Sequence, residues 1–146
     1  MDSMRIIPFE ARYRDDMIFM ILLTKDSLGH VPRLNPDLLD VEGNYLRKGD
    51  MFWLAIDDRD RVAGCVGYSA VEGTGDVRLH RFYVKPDMQG RGIGSSLYWT
   101  AEEYVRALGK TGVLVHLGGT GYEASHSFYL HRGFVCRGKD FMYKKL

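Results

Sequence analysis

The sequence predicts a mixed α/β (α+β) fold with elements in the order β-α-α-β-β-β-α-β-α-β-β. Three observations carry this reading. Residues 51–56, 61–71 and 77–84 are apolar runs joined by polar or glycine-containing turns, so they read as consecutive antiparallel strands. Between 92 and 108 the apolar residues recur at helical spacing. Residues 111–117 are again a compact apolar run, and a strand–helix–strand path of this length implies a right-handed parallel crossover.

Taken in order, residues 4–9 form a short apolar run that reads as a first strand. Arg14-Asp15-Asp16 then precedes the apolar run 17–23. Its period is indecisive, but the acidic start and the scarcity of β-branched residues favour a helix. The run is apolar all round, which predicts contact on two sides. Gly29-His30-Val31-Pro32 breaks it. Asn35-Pro36-Asp37 reads as a cap with proline in the first turn, opening a second, weaker helix toward Arg47. The strands 51–56 and 61–71 flank the polar turn 57–60. Gly64 and Gly67 mark bulges or points of close approach. Residues 72–76 turn into the third strand, 77–84. In the helix 92–108, Ile93, Leu97, Ala101, Tyr104, Val105 and Leu108 share one face, with Glu102, Glu103 and Arg106 off it. Gly109 reads as its stop. After 111–117, Gly118-Gly119-Thr120-Gly121 is a loop, 123–132 a short helix ended by Gly133, and 134–137 and 141–145 two closing strands. No repeat, linker or low-complexity tract interrupts 1–146, which reads as a single domain.

Composition narrows the function. The 146 residues suffice for a real core, and 45% hydrophobic with 27% charged residues reads as globular. A net charge of +1 and the lack of a basic stripe argue against nucleic acid or an acidic membrane surface as partner. The longest apolar run, 17–23, is too short to span a bilayer. Met1-Asp2-Ser3-Met4-Arg5 lacks the basic-then-apolar pattern of a signal peptide. Cys65 and Cys136 lie far apart in strand-like runs, with no metal-ligand spacing, and read as buried thiols; no metal is expected. A reducing cytoplasm is the compartment these features suggest.

The chemistry gathers in one stretch. An apolar strand ends at Val84, and Pro86 forbids its continuation in a ladder. Three alternate glycines follow, Gly90, Gly92 and Gly94, and then an amphipathic helix begins. A glycine-rich turn into a helix start concentrates unpaired backbone N–H groups and the positive end of the helix dipole. That is an anion site, and phosphate is its usual guest. The spacing does not fit G-x-G-x-x-G, because Leu97 stands where a third glycine is needed, nor does it fit G-x-x-x-x-G-K-[ST].

What stands there is Q-x-x-G-x-G, with Gln89, Gly92 and Gly94, set between a strand with its proline and a helix. This resembles the pyrophosphate loop of the GNAT (N-acetyltransferase) superfamily. Phe128-Tyr129 followed by Gly133-Phe134 resembles that family's F-Y-x-x-x-G-F ending, and the element order is the family's order. Asp37-Leu38-Leu39-Asp40-Val41 before Phe52-Trp53 resembles the acceptor wall of small members. The resemblance implies a central, mixed but mostly antiparallel sheet of about seven strands with helices on both faces. It implies acetyl-CoA as co-substrate, with Phe82, Tyr83 and Val84 along the pantetheine and Gln89, Gly90, Arg91, Gly92, Ile93, Gly94 and Ser95 around the pyrophosphate. Gln89 is expected to shape the turn, and Arg91 either adds a charged contact or is solvated. The resemblance implies that Tyr129 protonates the departing thiolate; the alternative is a core tyrosine.

Two positions depart from the family's pattern. Arg78 stands where many members carry a glutamate base, and Tyr122 where an asparagine often contacts CoA. No carboxylate base carries over. His80, on the same strand face as Arg78, is the candidate base, against a structural or surface histidine. His116 is a second candidate near the acceptor. Arg78 is expected to bind a carboxylate or phosphate on the acceptor, and Tyr45 to line the acceptor wall. The implied activity is acetyl transfer to a primary amine of a small molecule by direct attack in a ternary complex. The alternatives are a protein or peptide N-acetyltransferase and a non-catalytic CoA-binding sensor. The chain is compatible with a homodimer.

Overall fold

A computed structural model describes residues 4–117 and 123–146. One seven-stranded sheet, ordered β1-β2-β3-β4-β5-β7-β6, forms its centre. The strands are β1 (Arg5–Pro8), β2 (Met51–Ile56), β3 (Val62–Ala70), β4 (Asp76–Val84), β5 (Gly112–His116), β6 (Val135–Cys136) and β7 (Phe141–Lys145). The helices are α1 (Arg14–Ser27), α2 (Val41–Asn44), α3 (Ile93–Ala107) and α4 (Glu123–Leu130). β1 to β4 pair antiparallel in sequence, β4 and β5 pair parallel across α3, and β7 pairs antiparallel to both β5 and β6. The loop expected at 118–121, and Tyr122, lie outside the described residues.

Alternation along the strands sorts the core into two layers. On β2, Trp53 and Ala55 join the cluster packed by α3 through Ile93, Leu97, Tyr98, Ala101 and Val105. Phe52, Leu54 and Ile56 point the other way, to Met17, Met20 and Ile21 of α1. Helices therefore cover both faces of the sheet.

The two glycines of β3 are points of close approach. A Cβ on Gly64 would stand 2.9 Å from the Tyr83 carbonyl, and one on Gly67 would stand 2.5 Å from the Phe52 ring. Phe52 is the cross-strand partner of Gly67 and fills the space the glycine leaves. Opposite them, β4 holds one extra residue. Cys65 pairs with Tyr83 and Gly67 with His80, so one residue of β3, Val66, stands opposite two of β4, Arg81 and Phe82. The bulge includes Arg81, at φ 52°.

Several expectations are corrected. The second helix breaks into a 3-10 turn (Pro36–Asp40), the single turn α2 and another 3-10 turn (Leu46–Lys48). Only Leu38, Val41 and Tyr45 are buried there, too few to support a continuous amphipathic helix. Asn35 makes no cap bond; its Oδ1 accepts from Lys25 Nζ at 2.5 Å. α1 packs on one side only, leaving Phe19 and Leu23 exposed. Cys136 is exposed, because β6 is a two-residue edge strand whose residues are both exposed.

The buried face of α3 is rotated from the expected one. Tyr104 and Leu108 are exposed, while Glu102 is only 4% exposed. Its carboxylate accepts from Lys144 Nζ and Tyr98 Oη, each at 2.6 Å, and from Arg106 Nε at 3.1 Å. β7 thus supplies the cation that makes a buried acid tolerable. Burial alone would raise the Glu102 pKa, but the bonds from Lys144, Tyr98 and Arg106 hold it below the usual range. A depressed folded pKa stabilises above the unfolded value and loses that contribution as pH falls through the folded one. Glu102→Gln is expected to cost about 1–3 kcal/mol at pH 7. The difference from the native protein should shrink as pH falls below the usual carboxylate range and through the lowered folded-state pKa, read from paired urea unfolding curves.

Candidate functional site

The site begins where the sheet divides. β4 and β5 pair at Asp76–Gly112, Val77–Val113 and Arg78–Leu114, and at no later position. β5 continues with β7 through Val115 and His116, while β4 runs on beside β3 to Val84. The side of β4 beyond Arg78 that faces away from β3 therefore lacks a ladder partner on β5. The bulge re-aims side chains within this stretch. His80 and Arg81 both face the α1–α2 layer; Phe82 and Val84 pack with the α3 layer, and Tyr83 returns to the α1 layer.

A cleft of about 400 Å³ opens at the end of β4, with walls that include Phe82, Val84, Gly90, Gly94, Phe128 and Tyr129. Pro86–Met88 form a 3-10 turn. Gly90 and Gly92 then take φ of 80° and 82°, with Gly92 capping α3. No atom lies within 4 Å of a Cβ added at either, so backbone conformation rather than crowding calls for glycine. The Ser96 amide bonds the Gly92 carbonyl at 3.0 Å and is the first in the helix to find an intrahelical acceptor. The amides of Ile93, Gly94 and Ser95 come before it and have no such acceptor. Gln89 turns back to donate from Nε2 to the Val84 carbonyl at 3.1 Å, and Arg91 is exposed. The arrangement is a cradle of amides at a helix N-terminus, beside an apolar wall and a strand that has parted from β5. It suits a ligand that is anionic at one end and extended and largely apolar at the other.

Arg132, which the sequence reading did not single out, ties the two walls together. It donates from Nη1 to the Phe128 carbonyl at 2.8 Å and from Nη2 to the Ser95 hydroxyl, and its guanidinium lies 3.4 Å from the Phe128 ring centroid. Tyr129 is therefore carried on a helix end pinned to the first turn of α3. Its ring is buried against Phe134 at 4.9 Å and Phe82 at 6.4 Å. Burial raises its pKa well above the ordinary phenol range, with Arg132 opposing, so the hydroxyl keeps its proton at neutral pH. Among the described residues nothing hydrogen-bonds that hydroxyl.

A second group of side chains lies on the α1–α2 side of β4. His80 Nε2 and Ser69 Oγ share a 2.7 Å hydrogen bond. Tyr45 is buried, 6.2 Å from the His80 ring, and donates to Asp37 Oδ2 at 2.6 Å. Arg81 grips the same carboxylate with two bonds, at 3.1 and 2.9 Å. Burial would raise the Asp37 pKa, but the bonds from Arg81 and Tyr45 bring it below the usual range. Arg78 reaches toward Phe141, its guanidinium carbon 5.9 Å from the ring centroid, and its Nε is buried without a hydrogen-bond partner. His116 is exposed and stacks on Phe141 at 4.8 Å. Tyr45, His80, Asp37 and Arg81 thus form one group, and Arg78 and His116 both reach Phe141. Asp37 and Arg81 were not identified from sequence as site residues. Among the described residues, no group of three or more His, Cys, Asp or Glu could hold a metal ion.

Comparison with known proteins adds the following. The sequence model of the Acetyltransferase (GNAT) family matches residues 18–134. N-acetyltransferase 8F1 of Rattus norvegicus is 28% identical over 113 residues, covering 75% of this chain and 50% of its own. The chain spans about half the length of the curated relatives it matches. A GNAT-family acetyltransferase from Staphylococcus aureus Mu50 superposes with a TM-score of 0.87 at 23% identity, covering 99% of both chains. PaiA N-acetyltransferase from Thermoplasma acidophilum, solved in complex with coenzyme A, superposes at 0.77 with 18% identity and 99% of both chains covered. At these identities the likeness to solved structures shows the fold. Among the described residues no helix is long and apolar enough to cross a membrane.

The sequence reading expected the His80 imidazole to titrate near neutrality. Burial, with Arg78 and Arg81 adding to it, lowers its pKa to about 4. His80 is therefore neutral at pH 7. An NMR titration of the imidazole signals should show His80 midway near pH 4, far from the value of about 6.5 of an unperturbed histidine. A midpoint near the unperturbed value would mean that this wall is open to water.

Proposed function

The chain belongs to the Acetyltransferase (GNAT) family, and on that premise we propose that it moves an acetyl group from acetyl-CoA to a primary amine of a small molecule. Attack is direct, within a ternary complex. The observation that carries this reading is the cradle at the foot of α3. Gly90 and Gly92 remove side chains from its rim, and the amides of Ile93, Gly94 and Ser95 precede the helix's own ladder. A diphosphate needs several converging donors with no Cβ in the way, and these residues fit that need. The Phe82–Val84 stretch of β4, beyond its last rung with β5, fits a pantetheine arm, and Phe82, Val84 and Phe128 give it an apolar wall.

Acetyl-CoA, when bound, supplies an activated thioester. The loop and the α1–α2 wall hold the two reactants, so much of the rate comes from proximity. Tyr129 keeps a proton on Oη beside Phe82 and is the acid for the departing thiolate. His80 presents a neutral imidazole bonded to the Ser69 hydroxyl, a pair through which a proton can leave the amine. With a pKa near 4, His80 relays that proton rather than holding it. Neither cysteine serves as a covalent relay. Cys65 is buried and donates to the Arg81 carbonyl at 3.0 Å, and Cys136 lies on the edge strand β6.

Incubation with acetyl-CoA and an amine panel should release free thiol. Tight acetyl-CoA binding without release across the panel would instead indicate a CoA-binding sensor. Tyr129→Phe should lower turnover by roughly ten- to a thousandfold while the KM for acetyl-CoA changes little. An unchanged kcat would make Tyr129 a packing residue.

A further inference from the structure

The geometry points to an acceptor that carries an anionic group, a carboxylate or phosphate, beside its amine, with Arg78 as the residue that grips it. This deepens the proposed function and rests on it in one respect, that the acceptor lies along the α1–α2 wall of β4.

Arg78 occupies the fork of the split. It makes the last rung with β5, opposite Leu114, and its partner on β3 is Ser69, the residue bonded to His80. Its side chain shares the face of His80, two residues on. Among the described residues no carboxylate is within ion-pair distance of Arg78, and its buried Nε has no acceptor. The acids of this neighbourhood are otherwise engaged. Asp37 is held by Arg81 and Tyr45; Asp50 accepts the Ala70 amide at 3.0 Å; Asp76 accepts from Thr111 and Tyr143 at 2.8 and 3.0 Å.

A guanidinium so placed keeps a donor buried and unsatisfied until something brings it an acceptor. The wall as a whole is also positive. It holds Arg78 and Arg81 against the single carboxylate of Asp37, and their charge helps hold His80 neutral. A bare ammonium is repelled by such a wall. An amine with its own anion is not, and a planar guanidinium matches carboxylate and phosphate oxygens in pairs.

The test is a matched panel of an α-amino acid, its carboxamide, the decarboxylated amine and an aminoalkyl phosphate. Binding to the CoA-loaded protein is read by calorimetry and turnover by thiol release, in the native protein, Arg78→Gln and Arg78→Lys. In the native protein the carboxylate or the phosphate member should bind about ten- to a hundredfold better than the carboxamide and the decarboxylated amine. Which of the two prevails identifies the anion. Arg78→Gln should bring that ratio close to one and raise the acceptor KM by the same factor, with the acetyl-CoA KM unmoved; Arg78→Lys should restore part of the ratio. Equal binding of acid and carboxamide to the native protein overturns the proposal, as does an equal loss for all members in Arg78→Gln. If that variant fails to fold, the native acid-to-carboxamide ratio decides. Selective binding of the anionic member without thiol release would uphold the role of Arg78 and sink acetyl transfer.

Discussion

The structure depends on a ladder that stops. β4 and β5 hydrogen-bond through Arg78 and then part, so one edge of β4 from Leu79 onward leaves β5 while the other stays paired to β3. Backbone donors and acceptors inside a protein need partners. The stretch of β4 that has parted from β5 is where the proposed ligand's own amides would bond. The bulge sharpens the effect by adding a residue on the open strand just where it parts from β5. Arg81 takes a left-handed conformation that costs roughly 1–2 kcal/mol for a side-chain-bearing residue. Two bonds from its guanidinium to Asp37, and one from the Cys65 thiol to its carbonyl, hold it there. A bidentate, partly buried arginine–carboxylate pair is of the right size to offset that cost.

The second half of the site follows from the first. Once β4 is turned by the bulge, Phe82 and Val84 face α3 and α4, and Lys85 ends the pairing with a last bond to the Ala63 carbonyl at 2.8 Å. Pro86 then forces a turn, and the glycines bring the chain into α3 with its first turn lining the cleft. Arg132 closes the other side. One guanidinium binds a backbone carbonyl of α4, a hydroxyl of α3 and an aromatic face, so the wall that carries Tyr129 cannot shift without breaking all three contacts. The acid proposed for the reaction is positioned by a residue that need not touch the substrate.

Much of this was legible because it is local. Period-2 and period-3.6 patterns, proline after Val84 and three alternate glycines are written within a few residues of where they act. What was not legible depends on distant partners. Nothing around Arg81 announces a positive φ, because it is stabilised by Asp37, 44 residues earlier. Glu102 looks solvent-facing by helical spacing and is buried because Lys144 arrives from the last strand. Apolar residues such as Phe19 and Leu23 look like core in a run, yet α1 has a sheet on only one side. The breakup of the second helix has a local cause that was there to read. Gly43 sits in the short apolar stretch, and Asp40 turns its carboxylate back to the Gly43 amide at 2.9 Å, which favours single turns over a continuous helix.

The loss of a carboxylate at position 78 need not leave the site without a way to free an amine. A carboxylate base works by taking a proton, and it also stabilises the ammonium form of its substrate by its charge. A guanidinium in its place does the reverse. Burial first, and then Arg78 and Arg81, disfavour a cation at His80, with Asp37 opposing. The proton then needs a path rather than a strong resting place, and a neutral imidazole hydrogen-bonded to the Ser69 hydroxyl is one. Under the proposal, anion recognition falls to Arg78 and the proton's path to His80 and Ser69, and the two tasks lie side by side because Ser69 is the cross-strand partner of Arg78.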